Sequence, residues 1–102
     1  MSPRFSVITP VFDPPAEVLR ATIECILNQT FADWELHLVD DASPNPHVRE
    51  VLNEYVGDPR IKVTFRERNG GIIASSNDAL TTAIGDFVVL LDHDDIIDVN
   101  SL

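Results

Sequence analysis

The stretch Gly85-Asp86-Phe87-Val88-Val89-Leu90-Leu91-Asp92-His93-Asp94-Asp95 decides the fold. Phe87 to Leu91 is an unbroken apolar run, which reads as a strand buried on both faces of a parallel sheet. It ends in a burst of carboxylates, so this strand delivers acid to one edge of the sheet. Working back, Ile73, Asn77, Leu80 and Ile84 fall on one helical stripe, with Ala74, Ala79 and Ala83 nearby and Gly85 as the stop. Asn69-Gly70-Gly71 breaks the chain before that helix. Ile61 to Phe65 alternates as a strand, and Gly57-Asp58-Pro59 is a turn. Asn45 with Pro46 opens a helix running to about Tyr55. Glu35 to Val39 is a strand with Leu36 and Leu38 on one side. Leu19, Ile23, Ile26 and Leu27 form a wide helical apolar face behind Asp13-Pro14-Pro15, which reads as an acidic cap with Pro in the first turn. Phe5 to Thr9 is the first strand. The order β-α-β-α-β-α-β predicts an α/β fold, an open and mainly parallel sheet with helices on both faces.

The chain has 102 residues, 7 Lys+Arg against 17 Asp+Glu, a net charge of −10 and 44% apolar residues. That fits one domain spanning 1–102 and argues against disorder. The charge argues against nucleic acid as a partner. Cys25 is the only cysteine, which excludes an internal disulfide and a Cys-based zinc cluster; it reads as an inert core thiol. No apolar run approaches the ~20 residues of a membrane-spanning helix, and the cytoplasm is the expected location.

In open α/β sheets, ligands sit beyond the carboxyl ends of the strands. Here those ends carry Asp13, Asp40-Asp41, Arg66-Glu67-Arg68-Asn69, and Asp92, Asp94, Asp95 and Asp98. Like charges this dense raise one another's pKa unless a cation joins them. Oxygen ligands of this kind suit Mg2+ or Mn2+. His93 reads as a side-chain contact or a bystander. A calcium EF-hand loop counted from Asp92 fails, because Ile97 stands where that loop needs Gly. A phospho-acceptor receiver needs its acid pair after the first strand, and that strand ends in Thr9-Pro10. An acidic protein can grip an anionic diphosphate only through a bridging divalent ion, so binding is expected to depend steeply on metal.

Five segments together resemble the family 2 glycosyltransferases: Ser6 to Asp13; Leu27-Asn28-Gln29-Thr30-Phe31 before Trp34-Glu35-Leu36; Val39-Asp40-Asp41-Ala42-Ser43; Asn69 to Asn77; and Gly85 to Asp95. Each is weak alone, and their shared order and spacing carry the resemblance. The Leu-Leu-Asp-His-Asp-Asp form is similar to that of bacterial enzymes of O-antigen, rhamnan and other surface-polysaccharide assembly. The resemblance implies the Rossmann-like half of a GT-A fold, which binds a nucleotide-diphospho-sugar, UDP- or dTDP-linked. It implies that Pro10 and Phe12 lie against the base, with Asp13 beside them. Asp41 would hydrogen-bond a pyrimidine, and Gly71, Ser75 and Asn77 would lie near diphosphate and ribose. Asp92 would hold the ribose, and Asp94 with Asp95 the metal. Related sequences often carry Arg at the position of Ser76, so cationic help from that position is absent.

The activity so implied is inverting, metal-dependent sugar transfer to a growing saccharide or lipid-linked acceptor, in the cytoplasm or, for a full-length protein, at the inner face of the membrane. The family's catalytic base is an Asp or Glu in an acceptor half that follows the Asp-x-Asp loop. The sequence stops seven residues after Asp95. The base is therefore expected beyond Leu102, and the chain is expected to be a poorly active fragment that self-associates through exposed apolar surface. The competing reading is a non-catalytic α/β module, receiver-like or a scaffold, whose acids bind Mg2+ for other reasons.

Overall fold

A computed structural model of the chain describes residues 4–29, 33–81, 83–85 and 87–91. Along them run β1 (Phe5–Val11), α1 (Ala16–Leu27), β2 (Trp34–Asp40), α2 (Pro46–Asn53), β3 (Ile61–Phe65), α3 (Gly71–Leu80) and β4 (Phe87–Leu90). The strands form one sheet in the order β3-β2-β1-β4, with every pairing parallel. Right-handed crossovers then settle which face each helix takes. The two connections stepping from β1 to β2 and on to β3 use one face. The connection that turns back from β3 to β4 uses the other.

Strand alternation divides the core accordingly. Val7, Val11, Leu36 and Leu38 join Leu19, Ile23 and Ile26 of α1 and Val48, Val51 and Leu52 of α2 in one large cluster. Their neighbours Ile8 and Val39 point the other way and meet Ala79 of α3 in a small one. All of β2 is buried, including Glu35 and His37. The apolar alternation of Leu36 and Leu38 therefore marks only which face meets α1 and α2. At the margin, Arg20 forks onto Glu54 at 3.0 and 2.6 Å, tying α1 to the end of α2.

Several elements differ from the sequence expectation. Among the described residues β4 is an edge strand, not one buried on both faces. Val89 and Leu91 pack on the large cluster, whereas Phe87, Val88 and Leu90 remain 53%, 47% and 66% exposed. An apolar run reports only what a strand can bury, and β4 has β1 on one side. Helix α3 ends at Leu80, and its inward face is not the large-residue stripe. Ile73, Asn77 and Leu80 are exposed, while Ser75 and Ala79 are buried. Gly71, Ser75 and Ala79 recur every four residues, so small side chains let the helix lie close on the sheet. Gly85 is not the helix stop. A Cβ there would stand 2.6 Å from Ser6 N and Oγ, so it is a point of close approach. Helix α2 stops at Asn53 rather than Tyr55. Helix α1 starts after Pro15 with no side-chain cap, leaving Asp13 for another task.

Leu38 is fully buried in the larger cluster. Leu38→Ala is expected to lower the free energy of unfolding by about 3 kcal/mol through lost transfer and the cavity left behind. Urea titration checks this as a lower midpoint at unchanged slope.

Candidate functional site

The order β3-β2-β1-β4 reverses direction between β1 and β4, and the crevice outside the carboxyl ends at such a switch point is where ligands bind in open sheets. The rim there is built from the segments after β1, β2 and β3 and the start of α3.

The loop after β2 is fixed by its own side chains. Asp41 N donates to Val11 O at 2.8 Å, extending the β1–β2 ladder by one bond. Ala42 then turns the chain with φ +58. Ser43 N donates to Asp40 Oδ1 at 3.1 Å, closing the turn. From the loop after β1, Asp13 has φ +52. Its amide donates to Ser43 Oγ at 2.8 Å, and Asn45 Nδ2 donates to both of its carboxylate oxygens at 2.8 and 2.7 Å. His47 Nε2 and Pro14 O, 2.7 Å apart, add a third link. Two non-glycine residues in the left-handed region cost about 1–3 kcal/mol each and persist because neighbours over-determine them. Asp13 thus braces two loops of the rim.

Asp41 is 3% exposed and sits at the centre. Gly70 N donates to Oδ1 at 2.8 Å and Gly71 N to Oδ2 at 2.7 Å. Arg66 Nε lies 3.1 Å from Oδ1. Burial pushes the Asp41 carboxyl up, but the two glycine amides, the nearby Ser75 hydroxyl and the Arg66 guanidinium together hold it below its ordinary value. Ser75 Oγ is itself buried and makes no regular hydrogen bond; it contributes as a close dipole. These contacts occupy three of the roughly four acceptor positions of a carboxylate. Gly71 takes φ +84, a conformation that favours glycine, and this places successive amides of the α3 start on Asp41.

The adjacent acids Asp40 and Asp41 do not act as a pair. They point to opposite faces of the sheet, Asp40 toward Ser43 and Asp41 toward α3, because successive strand residues alternate. Pro10 is buried in β1 opposite Val39. Phe12 follows it, 46% exposed. Gly71 touches Asp41, whereas Asn77 lies on the exposed side of α3. Asp92, His93, Asp94, Asp95 and Asp98 lie outside the described residues. Among the described residues no three acids, histidines or cysteines are grouped to hold a metal, since Asp13, Asp40 and Asp41 each have other partners. A metal role therefore rests on the acids after Leu91, whose residue types fit a hard cation.

Arg66 is the residue whose role sequence reasoning missed. Its Nη1 donates to Asp78 and, at 3.3 Å, to Ala74 O, so it binds the end of β3 to α3 as well as to Asp41. With Glu67, Arg68 and Asp78 it lines an open depression of about 390 Å³. The available signal was a cation directly after a strand in a chain with only 7 Lys+Arg.

The folded carboxyl of Asp41 is held below the ordinary 3.8. Its stabilisation is fully present above that value and lost as pH falls through the lower folded value. Asp41→Asn is expected to cost about 3 kcal/mol at neutral pH, because a buried pair is broken. The deficit relative to wild type should shrink on acidification below 3.8, as followed by urea unfolding at stepped pH.

Residues 6–102 match the model of the family described as Glycosyl transferase family 2. Over 101 residues the chain is 35% identical to the O-antigen biosynthesis protein RfbC of Myxococcus xanthus, covering 98% of this chain and 8% of that protein. Residues 1–349 of S. aureus TarS, crystallised in complex with UDP, superpose with a TM-score of 0.82 at 31% identity, over 99% of this chain and 30% of that one. A mannosyltransferase of Pyrobaculum calidifontis, in complex with GDP-Man and Mn2+, gives 0.78 at 27% identity, over 94% and 29%. The chain thus spans under a third of each of these proteins. The parallel order that puts β1 beside β4, the braced rim and the match over nearly the whole span agree, and the chain belongs to glycosyl transferase family 2.

Proposed function

We propose that these residues form the donor-binding part of an inverting, metal-dependent glycosyltransferase. Its donor would be a UDP- or dTDP-linked sugar, and its acceptor a growing surface saccharide or a lipid-linked one. The observation that carries the reading is the Asp41 clamp at the switch-point rim, where a buried carboxylate orders the Gly70-Gly71 amides beside an exposed aromatic, Phe12. In this reading Pro10 and Phe12 border the base, and the remaining acceptor position of Asp41 takes a ring N–H. Asp13 holds the Phe12 loop in place. Gly71 and Asn77 lie toward the diphosphate and ribose, Asp92 toward the ribose, and Asp94 with Asp95 ligate Mg2+ or Mn2+. A divalent cation there would neutralise the departing diphosphate as a Lewis acid. The acceptor hydroxyl would attack the anomeric carbon and expel the nucleoside diphosphate, its proton passing to a base that we do not assign within the 102 residues. The net charge of −10 supports the metal requirement, since protein and donor repel without a cation between them.

The exposed Phe87, Val88 and Leu90 support self-association of the isolated chain. Sedimentation should show concentration-dependent oligomers, and a clean monomer at high concentration would refute this.

Calorimetric titration with UDP and dTDP, with and without Mn2+, tests the central reading. Nucleotide binding is expected only with metal, abolished by Asp94→Ala and weakened by Asp41→Ala in protein checked for folding. Metal binding without nucleotide binding would favour the non-catalytic Mg-binding module instead.

A further inference from the structure

At the opposite end of the sheet from the rim lies a second buried carboxylate that the site does not use. Glu35, 4% exposed, sits near the start of β2 on the face covered by α3. Its Oε2 accepts both the Ser6 hydroxyl of β1 and, at 2.8 Å, the amide of Ile84. The Ser6 oxygen in turn accepts the Gly85 amide at 2.7 Å. On Oε1, His37 Nε2 stands 3.0 Å away, without the alignment of a regular hydrogen bond. Burial pushes the Glu35 carboxyl up, yet the Ser6 hydroxyl, the Ile84 amide and His37 together hold it below its ordinary value, so it is ionised at neutral pH.

A buried charge is costly unless its partners compensate for it, and three of the groups around Glu35 are aimed at one joint. Ile84 and Gly85 are the approach to β4. Immediately beyond, Phe87 N bonds Arg4 O at 2.9 Å, and Leu91 N bonds Ile8 O at 3.0 Å. The register is Phe5↔Phe87 through Ile8↔Leu90. Beside this joint, the register of β4 is held by the packing of Val89 and Leu91 on the large cluster. The strand is short and apolar throughout, with three of its four residues exposed, so that packing acts through few side chains. The fit is also steric, since a Cβ on Gly85 would strike the Ser6 backbone.

We propose that Glu35 is a positioning residue that sets the register of β4 against β1, and so fixes where the carboxyl end of β4 stands. A slip of one residue would reverse the faces of β4 and shift its carboxyl end by about 3.3 Å. The functional consequence rests on the donor-binding reading above, because the acids assigned to metal and ribose follow Leu91 in sequence. The pin acts from the far end of β1, roughly 17 Å away over the five residue steps from Ser6 to Val11.

Two readouts on the same proteins test this. Hydrogen exchange by NMR should find the Phe87 and Leu91 amides protected in wild type and selectively unprotected in Glu35→Leu, with Gly70 and Gly71 unchanged. Glu35→Gln, which keeps one acceptor oxygen for Ile84 and Ser6, should restore most of that protection. Gly85→Ala should reproduce the Leu variant from the other side of the joint. In parallel, UDP affinity in Mn2+ should fall about tenfold in Glu35→Leu, equivalent to about 1.4 kcal/mol of lost binding, and recover in Glu35→Gln. Unchanged protection in Glu35→Leu, or a uniform loss across all strands without rescue by Gln, overturns the proposal. Should wild type bind no UDP, the donor-binding reading fails while the exchange experiment still decides the role of Glu35.

Discussion

The arrangement depends on one carboxylate. Asp41 follows the last residue of β2, faces α3, and gathers the Gly70 and Gly71 amides and the Arg66 guanidinium. Three segments meet on it: the end of β2 and, some 25–30 residues on, the residue after β3 and the start of α3. A buried carboxylate is tolerable only when its acceptor positions are filled, so the same bonds that keep Asp41 ionised fix the start of the helix. With Gly71 on Asp41, the four-residue repeat carries Ser75 and Ala79 inward and leaves Ile73 and Leu80 outside.

The two faces of the sheet are held by different physics. Under α1 and α2 lies a broad apolar cluster built from both helices and the inner strands. Under α3 the buried apolar cluster among the described residues is Ile8, Val39 and Ala79, flanked by a carboxylate at each end. Asp41 sits at the rim and Glu35 at the far edge. Such a layer exchanges non-directional burial for a few charge-assisted bonds of defined geometry. It is accordingly the layer whose placement is most sensitive to single polar substitutions, and the one from which local opening is expected to start.

The element order, the parallel sheet and the carboxyl-end rim were legible because periodicity and turn residues report local conformation directly. Pro46 opening α2 and the alternation of Ile61 to Phe65 behaved as read, whereas Asn45 makes no side-chain cap and gives its side-chain amide to Asp13 instead. What was not legible depended on partners. The apolar run at β4 did not reveal that it would lie at an edge. Nor did the stripe of Ile73, Asn77 and Leu80 reveal that a contact at Gly71 would turn the helix around. Asp40 and Asp41 looked like one cluster because adjacency in sequence hides the alternation of faces. Asp13 looked like a helix cap or a ligand contact, and its carboxylate is taken by Asn45, a partner 32 residues away. Arg66 was placed at a strand end but given no role, because that role exists only once β2, β3 and α3 are assembled.

The claim at the centre is that the Asp41 junction is where a nucleotide sits. Titrating isotope-labelled chain with UDP and Mg2+ while following backbone amide resonances tests it most directly. The account predicts saturable shifts at Gly70 and Gly71, with Val48 and Val51 in α2 unmoved. Saturation by UDP that leaves both glycine amides in place would contradict it.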